Sequence, residues 1–265
     1  MFDYINGNKF AVIADIVIDL DHPNIDFNRN ENAIIFCKTD FLLDLFGYLY
    51  LGGGSGKFIL ISHMSDKPIT NKRFDMKPLC IKKWFAENAV YDHEDLIPIP
   101  LGLENHIGKS KGKYTNHEWL DKNQHTLPEL KKGTSLYCNW VDSTNAAGRK
   151  MVIKQLQETS FSLCIESGLL YEEYCMNMAQ HRFVICPPGH GADTHRVWEA
   201  LYFGCVPIVI KNHIYDNYNL PILQLESYKE LTTEMIEDFL KKDFNYKQLY
   251  MEYWEEKIEV AFKKI

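Results

Sequence analysis

From Phe183 to Ile210 the chain runs Phe-Val-Ile-Cys, Pro-Pro-Gly-His-Gly-Ala-Asp-Thr, His-Arg-Val-Trp-Glu-Ala-Leu-Tyr-Phe-Gly and Cys-Val-Pro-Ile-Val-Ile. Few folds accept that order of segments. The first apolar run has the length of a buried strand and is stopped by Pro187, Pro188 and Gly189. Asp193 or Thr194 then caps a helix whose apolar side carries Val197, Ala200 and Leu201, and Gly204 ends it before a second strand from Val206 to Ile210. Strand, helix and strand in this order form a βαβ unit, which belongs to a parallel sheet. The start of such a helix presents N–H donors and a partial positive charge, so an anion is stabilised there without a metal. Arg196 and Glu199 lie three residues apart on one helix face, a spacing that suits an arginine on a diphosphate and a carboxylate on ribose hydroxyls.

The remainder of the chain repeats the alternation. Lys9 to Leu20 reads as one or two strands, Asp40 to Leu51 as an amphipathic helix and Phe58 to Ser62 as a strand. Leu79 to Ala89 reads as a strand leading into a helix, and Leu96 to Leu101 as a short strand. From Ile107 to Gly133 the apolar pattern thins into a connector with one helix near His117 to Lys122. A second α/β set follows: strand Ser135 to Trp140, helix Ala146 to Glu158, strand Phe161 to Ile165, helix Tyr171 to Gln180, then the opening motif. Ser227 to Ile265 reads as mostly helical. These elements predict a domain over residues 1–130, a second over 131–245, and a terminal helix over 246–265.

A length of 265 residues with 46% hydrophobic content suffices for two packed cores. The net charge of −7 argues against general nucleic-acid or anionic-membrane binding, since both need basic surface. The first residues carry no basic segment followed by an apolar stretch, and no run has the length of a membrane span, so a soluble cytoplasmic protein without membrane insertion is expected. Seven cysteines without a CxxC pair read as reduced core thiols.

Two segments imitate known motifs. Leu51-Gly-Gly-Gly-Ser-Gly-Lys-Phe58 resembles a phosphate loop, but its glycine spacing is one short and Phe58 stands where a magnesium-holding hydroxyl belongs. It also follows a helix and opens a strand, the reverse of the required order, so a flexible turn is expected. Asp19-Leu20-Asp21 resembles a metal-binding DxD, yet no nucleotide-binding unit precedes it. The histidines show no zinc spacing. No metal site is expected.

The motif Pro-x-Gly-x-Gly-x-Asp-Thr-His-Arg-x-Trp-Glu-Ala-Leu, followed by Gly-x-x-Pro-Ile-Val, resembles the donor site of exostosin-like glycosyltransferases and more loosely of fucosyltransferases. Weaker echoes occur in order at Ser62-His63-Met64-Ser65-Asp66, at Trp84 to Ala89 leading to Ile99 to Leu103, and at Leu136 to Trp140 with Thr144, Asn145 and Arg149. A narrower likeness is to the compact transferases of large algal viruses, including a xylosyltransferase. The resemblance implies a GT-B-like α/β fold: two Rossmann-like domains facing a cleft, with the C-terminal helix crossing back to the first domain.

It also implies an inverting transfer from a nucleotide-sugar, UDP-xylose by the narrower likeness, to a carbohydrate acceptor, with no cofactor and no divalent metal. The donor side is expected to comprise Asn139, Arg149, His190, Gly191, Asp193, Thr194, His195, Arg196 and Glu199, with Tyr171, Tyr215 or Tyr218 packing on the base. The general base is expected from the first domain. Asp66 is the first choice because it follows a strand at its C-terminal end, where α/β sheets present ligand-binding groups. His63 is the second, and Asp92, His93 and Asp95 form a third. The rival readings are a GDP-fucose-dependent fucosyltransferase and a silent nucleotide-sugar- or carbohydrate-binding protein.

Overall fold

The computed structural model describes residues 4–105, 116–123, 125–130 and 132–265. It is an α/β protein with two parallel sheets of five strands each. Its described residues divide into two units. One holds residues 4–102, 191–193 and 250–265, and the other holds the rest.

The first unit opens with a helix. Asn6 accepts from the Lys9 N–H at 3.0 Å and caps α1 (Gly7–Val12). The expected strand over Lys9 to Leu20 is therefore confined to β1 (Ile16–Ile18). β2 (Ala33–Lys38), β3 (Phe58–His63), β4 (Ile81–Ala86) and β5 (Leu96–Pro98) follow in sequential order across the sheet, joined by α2 (Leu42–Leu51) and α3 (Asn71–Phe74). Strand side chains alternate between faces. Ile35, Cys37, Leu60, Trp84 and Ala86 pack with Leu42, Leu45, Phe46 and Leu49 of α2 on one face. Ile34, Phe36, Ile59, Ile61 and Phe85, on the other, are also buried. Burial on both faces explains why these strands read as unbroken apolar runs.

Two features depart from expectation here. The helix expected after β4 does not form: the chain turns at Glu87 and Asn88, with Asn88 at φ 49°. The glycine-rich segment between α2 and β3 is close-packed. A Cβ on Gly54 would sit 2.3 Å from the Arg29 carbonyl oxygen, and one on Gly56 would sit 2.4 Å from that of Glu31. The glycines there allow two backbones to touch, and the Gly56 N–H donates to the Arg29 carbonyl at 2.8 Å.

The second unit is built from β6 (Gly133–Asn139), β7 (Leu163–Glu166), β8 (His181–Ile185), β9 (Val206–Ile210) and β10 (Leu223–Leu225). Its helices are α4 (Asn116–Asn123), α5 (Ala146–Gln157), α6 (Tyr171–Ala179), α7 (His195–Tyr202), α8 (His213–Asp216) and α9 (Thr233–Phe239). The expected connector from Ile107 to Gly133 lies partly outside the described residues, and α4 is its helix. The strand order is β10-β9-β8-β6-β7. The chain thus moves outward from β6 to β7, then returns past β6 to β8 and onward. The β6/β8 boundary is the point where such sheets leave a crevice beyond their C-terminal strand ends. Gly204, at φ 68°, ends α7 as expected.

The final helix, α10 (Met251–Phe262), belongs to the first unit, with Trp254 and Ile258 fully buried where it packs on β3. All seven cysteines are free thiols, five of them buried. No helix among the described residues is long and apolar enough to cross a membrane.

Candidate active site

The loops after β6 and β8 are tied together by one arginine. Arg149, buried on α5, donates from Nε to the Pro188 carbonyl at 3.3 Å, and from Nη1 to the Val141 carbonyl and the Thr144 hydroxyl. Asn145 caps α5 and donates its Nδ2 to the same Pro188 carbonyl at 3.3 Å. Gly189 admits the guanidinium, since a Cβ there would lie 3.3 Å from Arg149 Nη2. Burial and the nearby charge of Arg196 push the pKa of Arg149 down. Much of its hydrogen-bonding capacity thus goes to the backbone of the two loops, while its charge stays at the β6/β8 crevice.

Arg196 is engaged differently. It stands in the first turn of α7 with its Nε shut from solvent and without a hydrogen-bond partner. Burial alone opposes its charge, but Tyr174, Cys186 and Glu199 outweigh that effect and raise its pKa. Tyr174 of α6, whose proximity favours the charge on Arg196, donates a hydrogen bond to Glu199 Oε2 at 2.6 Å. Burial, and then the charge of Glu199, hold the Tyr174 hydroxyl well above its ordinary pKa, so it stays protonated as a donor. Glu199 itself is only 7% exposed. A cation with one unsatisfied donor and a fixed carboxylate one turn further along the helix therefore share one buried cluster.

The other donor-side candidates are placed as follows. Asn139 ends β6 and donates to the Tyr137 hydroxyl at 3.2 Å. His190 is exposed, His195 opens α7, and Gly191 is buried. Thr194 occupies the N-cap position without a side-chain cap bond. Asp193 sends its carboxylate to the Leu101 N–H at 3.1 Å. Thr194 thus takes the N-cap position of the expected pair, but not through its side chain. Tyr215 and Tyr218 are buried core residues, and Tyr171 meets Trp119 edge-on at 6.5 Å.

In the first unit, the C-terminal strand ends gather His63, Glu87 and Pro100. His63 Nδ1 lies 2.7 Å from Glu87 Oε2, and Nε2 lies 3.0 Å from the Pro100 carbonyl oxygen. The ring is 1% exposed and Glu87 fully buried. Burial opposes a charge on His63, but Glu87, the Pro100 carbonyl and Asp193 outweigh it and raise its pKa. Asp66 is exposed on the bend after β3. Beside it, Asp40 binds Lys67 Nζ at 2.7 Å and accepts from the Ser65 hydroxyl at 3.3 Å. Asp95 pairs with Lys83 at 2.7 Å, and His93 Nδ1 accepts from the Asp95 N–H at 3.0 Å. These two lead into the N-terminal end of β5, away from the strand ends that carry His63 and Glu87.

Glu87, Asn88 and Tyr174 were not among the expected site residues, although the first two lie in the Trp84 to Ala89 echo. The signal for the first two is their position, an acid and an amide placed directly after a buried strand; Tyr174 gave none. Asp19 accepts from the N–H groups of Asp21 and His22 at 3.0 and 2.8 Å, which makes it a turn residue. Among the described residues no three histidine, cysteine or carboxylate side chains are grouped as a metal would need.

A model of the exostosin GT47 domain matches residues 52–233, more than half of the chain. Probable glycosyltransferase At3g07620 of Arabidopsis thaliana is 37% identical over 71 residues, which are 27% of this chain and 14% of that relative. The chain thus spans a small part of the length of this relative.

Proposed function

Because the chain belongs to the exostosin GT47 family, we propose that it is an inverting glycosyltransferase that moves a sugar from a nucleotide-sugar to a carbohydrate hydroxyl without a divalent metal. The observation that carries this reading is Arg196, whose buried Nε lacks a partner at the start of α7. An unsatisfied buried donor costs about 1–3 kcal/mol, more on a charged group, and an anionic ligand removes that cost. A diphosphate is such an anion, and the β6/β8 crevice of this strand order is where nucleotides bind. Glu199, held by Tyr174 at 2.6 Å, is suited to accept from ribose hydroxyls.

In the proposed reaction Asp66 takes the proton of the acceptor hydroxyl. The acceptor oxygen bonds to the anomeric carbon as the bond from that carbon to the donor phosphate breaks. The nucleoside diphosphate leaves with the electron pair and the anomeric configuration inverts. Its charge is stabilised by Arg196, with the field of Arg149 in support. Support for Asp66 is its exposure on the bend that follows β3.

The donor is taken as UDP-xylose on the likeness of the sequence to compact transferases of large algal viruses. Calorimetric titration with UDP, GDP and their sugars tests the site. Tight GDP binding without a UDP response would overturn the uracil assignment, and no response to either would overturn the donor site itself. Transfer is expected to survive EDTA, and strict manganese dependence would overturn the metal-free mechanism.

A further inference from the structure

His63 and Glu87 are buried ionisable groups that the proposed reaction does not use. Two groups compete for His63 Nδ1: the Met64 N–H at 2.8 Å, and Glu87 Oε2 at 2.7 Å. A neutral ring protonated on Nε2 satisfies Met64 and leaves a fully buried carboxylate oxygen facing a lone pair. A ring protonated on both nitrogens donates to Glu87 and, in either case, to the Pro100 carbonyl at 3.0 Å. Orphaning a buried carboxylate costs more than losing one backbone contact, so the cation is the favoured form.

The Pro100 carbonyl and the Leu101 N–H belong to one peptide group. His63 binds one end of it, and Asp193 Oδ2 accepts from the other at 3.1 Å. A second path runs from Glu87 to the same turn. Glu87 Oε1 accepts from the Ser65 N–H at 2.6 Å, the Ser65 carbonyl accepts from Asn88 Nδ2 at 3.2 Å, and Asn88 Oδ1 accepts from the Asp193 N–H at 3.0 Å. The two paths close a ring that starts at Glu87 and ends on the backbone and side chain of Asp193. Two residues along it have left-handed backbones: Asn88 at φ 49°, which asparagine tolerates, and Met64, between His63 and Ser65, at φ 64°, which a non-glycine residue such as methionine keeps only when its surroundings over-determine it. Gly191 leaves room for the ring, since a Cβ there would lie 3.0 Å from Asn88 Nδ2.

We infer that His63 is a positioning residue and not the base: as an imidazolium on Glu87 it fixes the Pro100–Leu101 peptide, and through it the Asp193 turn from which α7 and Arg196 emerge. This inference rests on the donor site proposed above for its effect on catalysis, and on the ring alone for its structure. The groups facing His63 are Glu87 from the turn after β4, Asp193 from the turn before α7, the Phe10 ring of α1 at 5.5 Å, and the Thr39 hydroxyl, which donates to the His63 carbonyl at 3.4 Å. Only the two carboxylates among them titrate.

The test combines imidazole nitrogen spectra, amide hydrogen exchange and UDP titration on the full chain, with wild type, His63→Gln and Glu87→Gln compared. In the wild type at neutral pH, both His63 nitrogens are expected to carry protons. In Glu87→Gln the ring should become neutral, and exchange at Leu101 and Asp193 should speed up. Donor Kd and KM should rise about tenfold, the scale of one hydrogen bond, with a smaller change in kcat. A neutral wild-type ring, or unchanged Leu101 and Asp193 exchange in Glu87→Gln, would overturn the inference. So would loss of kcat alone in His63→Gln, the signature of a base. Should His63→Gln not fold, the wild-type spectrum and the Glu87→Gln exchange decide. A wild type that binds neither UDP nor GDP would overturn the donor reading instead, leaving spectra and exchange to judge the ring.

Discussion

Tyr174 on α6 donates its hydroxyl hydrogen to Glu199 Oε2 on α7 at 2.6 Å, joining two helices through one buried carboxylate. Removing that hydroxyl leaves the oxygen without its donor while the methylene and ring packing stay. Tyr174→Phe should therefore lower stability by about 1–3 kcal/mol, read as a shift of the urea midpoint at constant slope. Adding Glu199→Gln should recover part of the loss, because the two residues act as a pair and their effects do not add. Additive losses would mean that the bond contributes nothing.

Arg196→Ala removes the one guanidinium at this site that has an unsatisfied buried donor. Affinity for the nucleoside diphosphate should fall by about 1.5–3 kcal/mol, as for a charged hydrogen bond. Arg196→Lys should recover only part of it, since a point charge cannot reproduce the fork. Calorimetry with UDP reads both, and unchanged affinity in the alanine variant would remove Arg196 from the site.

Two glycines should respond to alanine with opposite signs. Gly102 has φ +70° and an added Cβ would lie 2.2 Å from the Ile5 carbonyl oxygen, so Gly102→Ala should destabilise by at least about 1–2 kcal/mol from the backbone alone. Gly47 lies inside α2 with nothing within 4 Å of an added Cβ. Gly47→Ala should stabilise by about 0.5–1 kcal/mol through helix entropy. Thermal melts of the pair check the contrast.

The sheets were legible wherever an apolar run ended in turn residues, as at Phe58 to Ser62 and through the second unit from Ser135 to Ile210. α1 was not, because Phe10-Ala-Val-Ile is a short apolar run whose period suits strand or helix equally, and only the Asn6 cap decides. The helix expected after β4 fails because Glu87 is drawn to His63 and Asn88 adopts a left-handed backbone. At the site, Arg196 and Glu199 could be singled out because their spacing lies within one helix. The partners that hold the site are remote in sequence: Tyr174 lies 25 residues from Glu199, and Asn88 lies 105 from Asp193. Side-chain pairing over such separations is set by strand order, and no local pattern encodes it.

The two limbs of the stability profile against pH should belong to different residues. The pKa of His63 is raised above its ordinary 6.5, because Glu87 and the Pro100 carbonyl outweigh the effect of burial. Its contribution is then fully present below 6.5 and is lost as pH rises through the folded value. Asp40 is the reverse case: burial opposes its charge, but Lys38 and Lys67 hold its pKa down to about 2 from 3.8, so its contribution is present above 3.8 and lost as pH falls toward 2. Glu87→Gln should not simply weaken the alkaline limb but invert it. Without the carboxylate, burial dominates and lowers the His63 pKa, so the variant should lose stability as pH falls through the range where the wild type keeps it. Asp40→Asn should flatten only the acid limb, and modestly, because solvent screens that partly exposed cluster. Urea midpoints across the pH range decide the matter: parallel wild-type and Glu87→Gln profiles would mean that His63 is not charged in the folded protein.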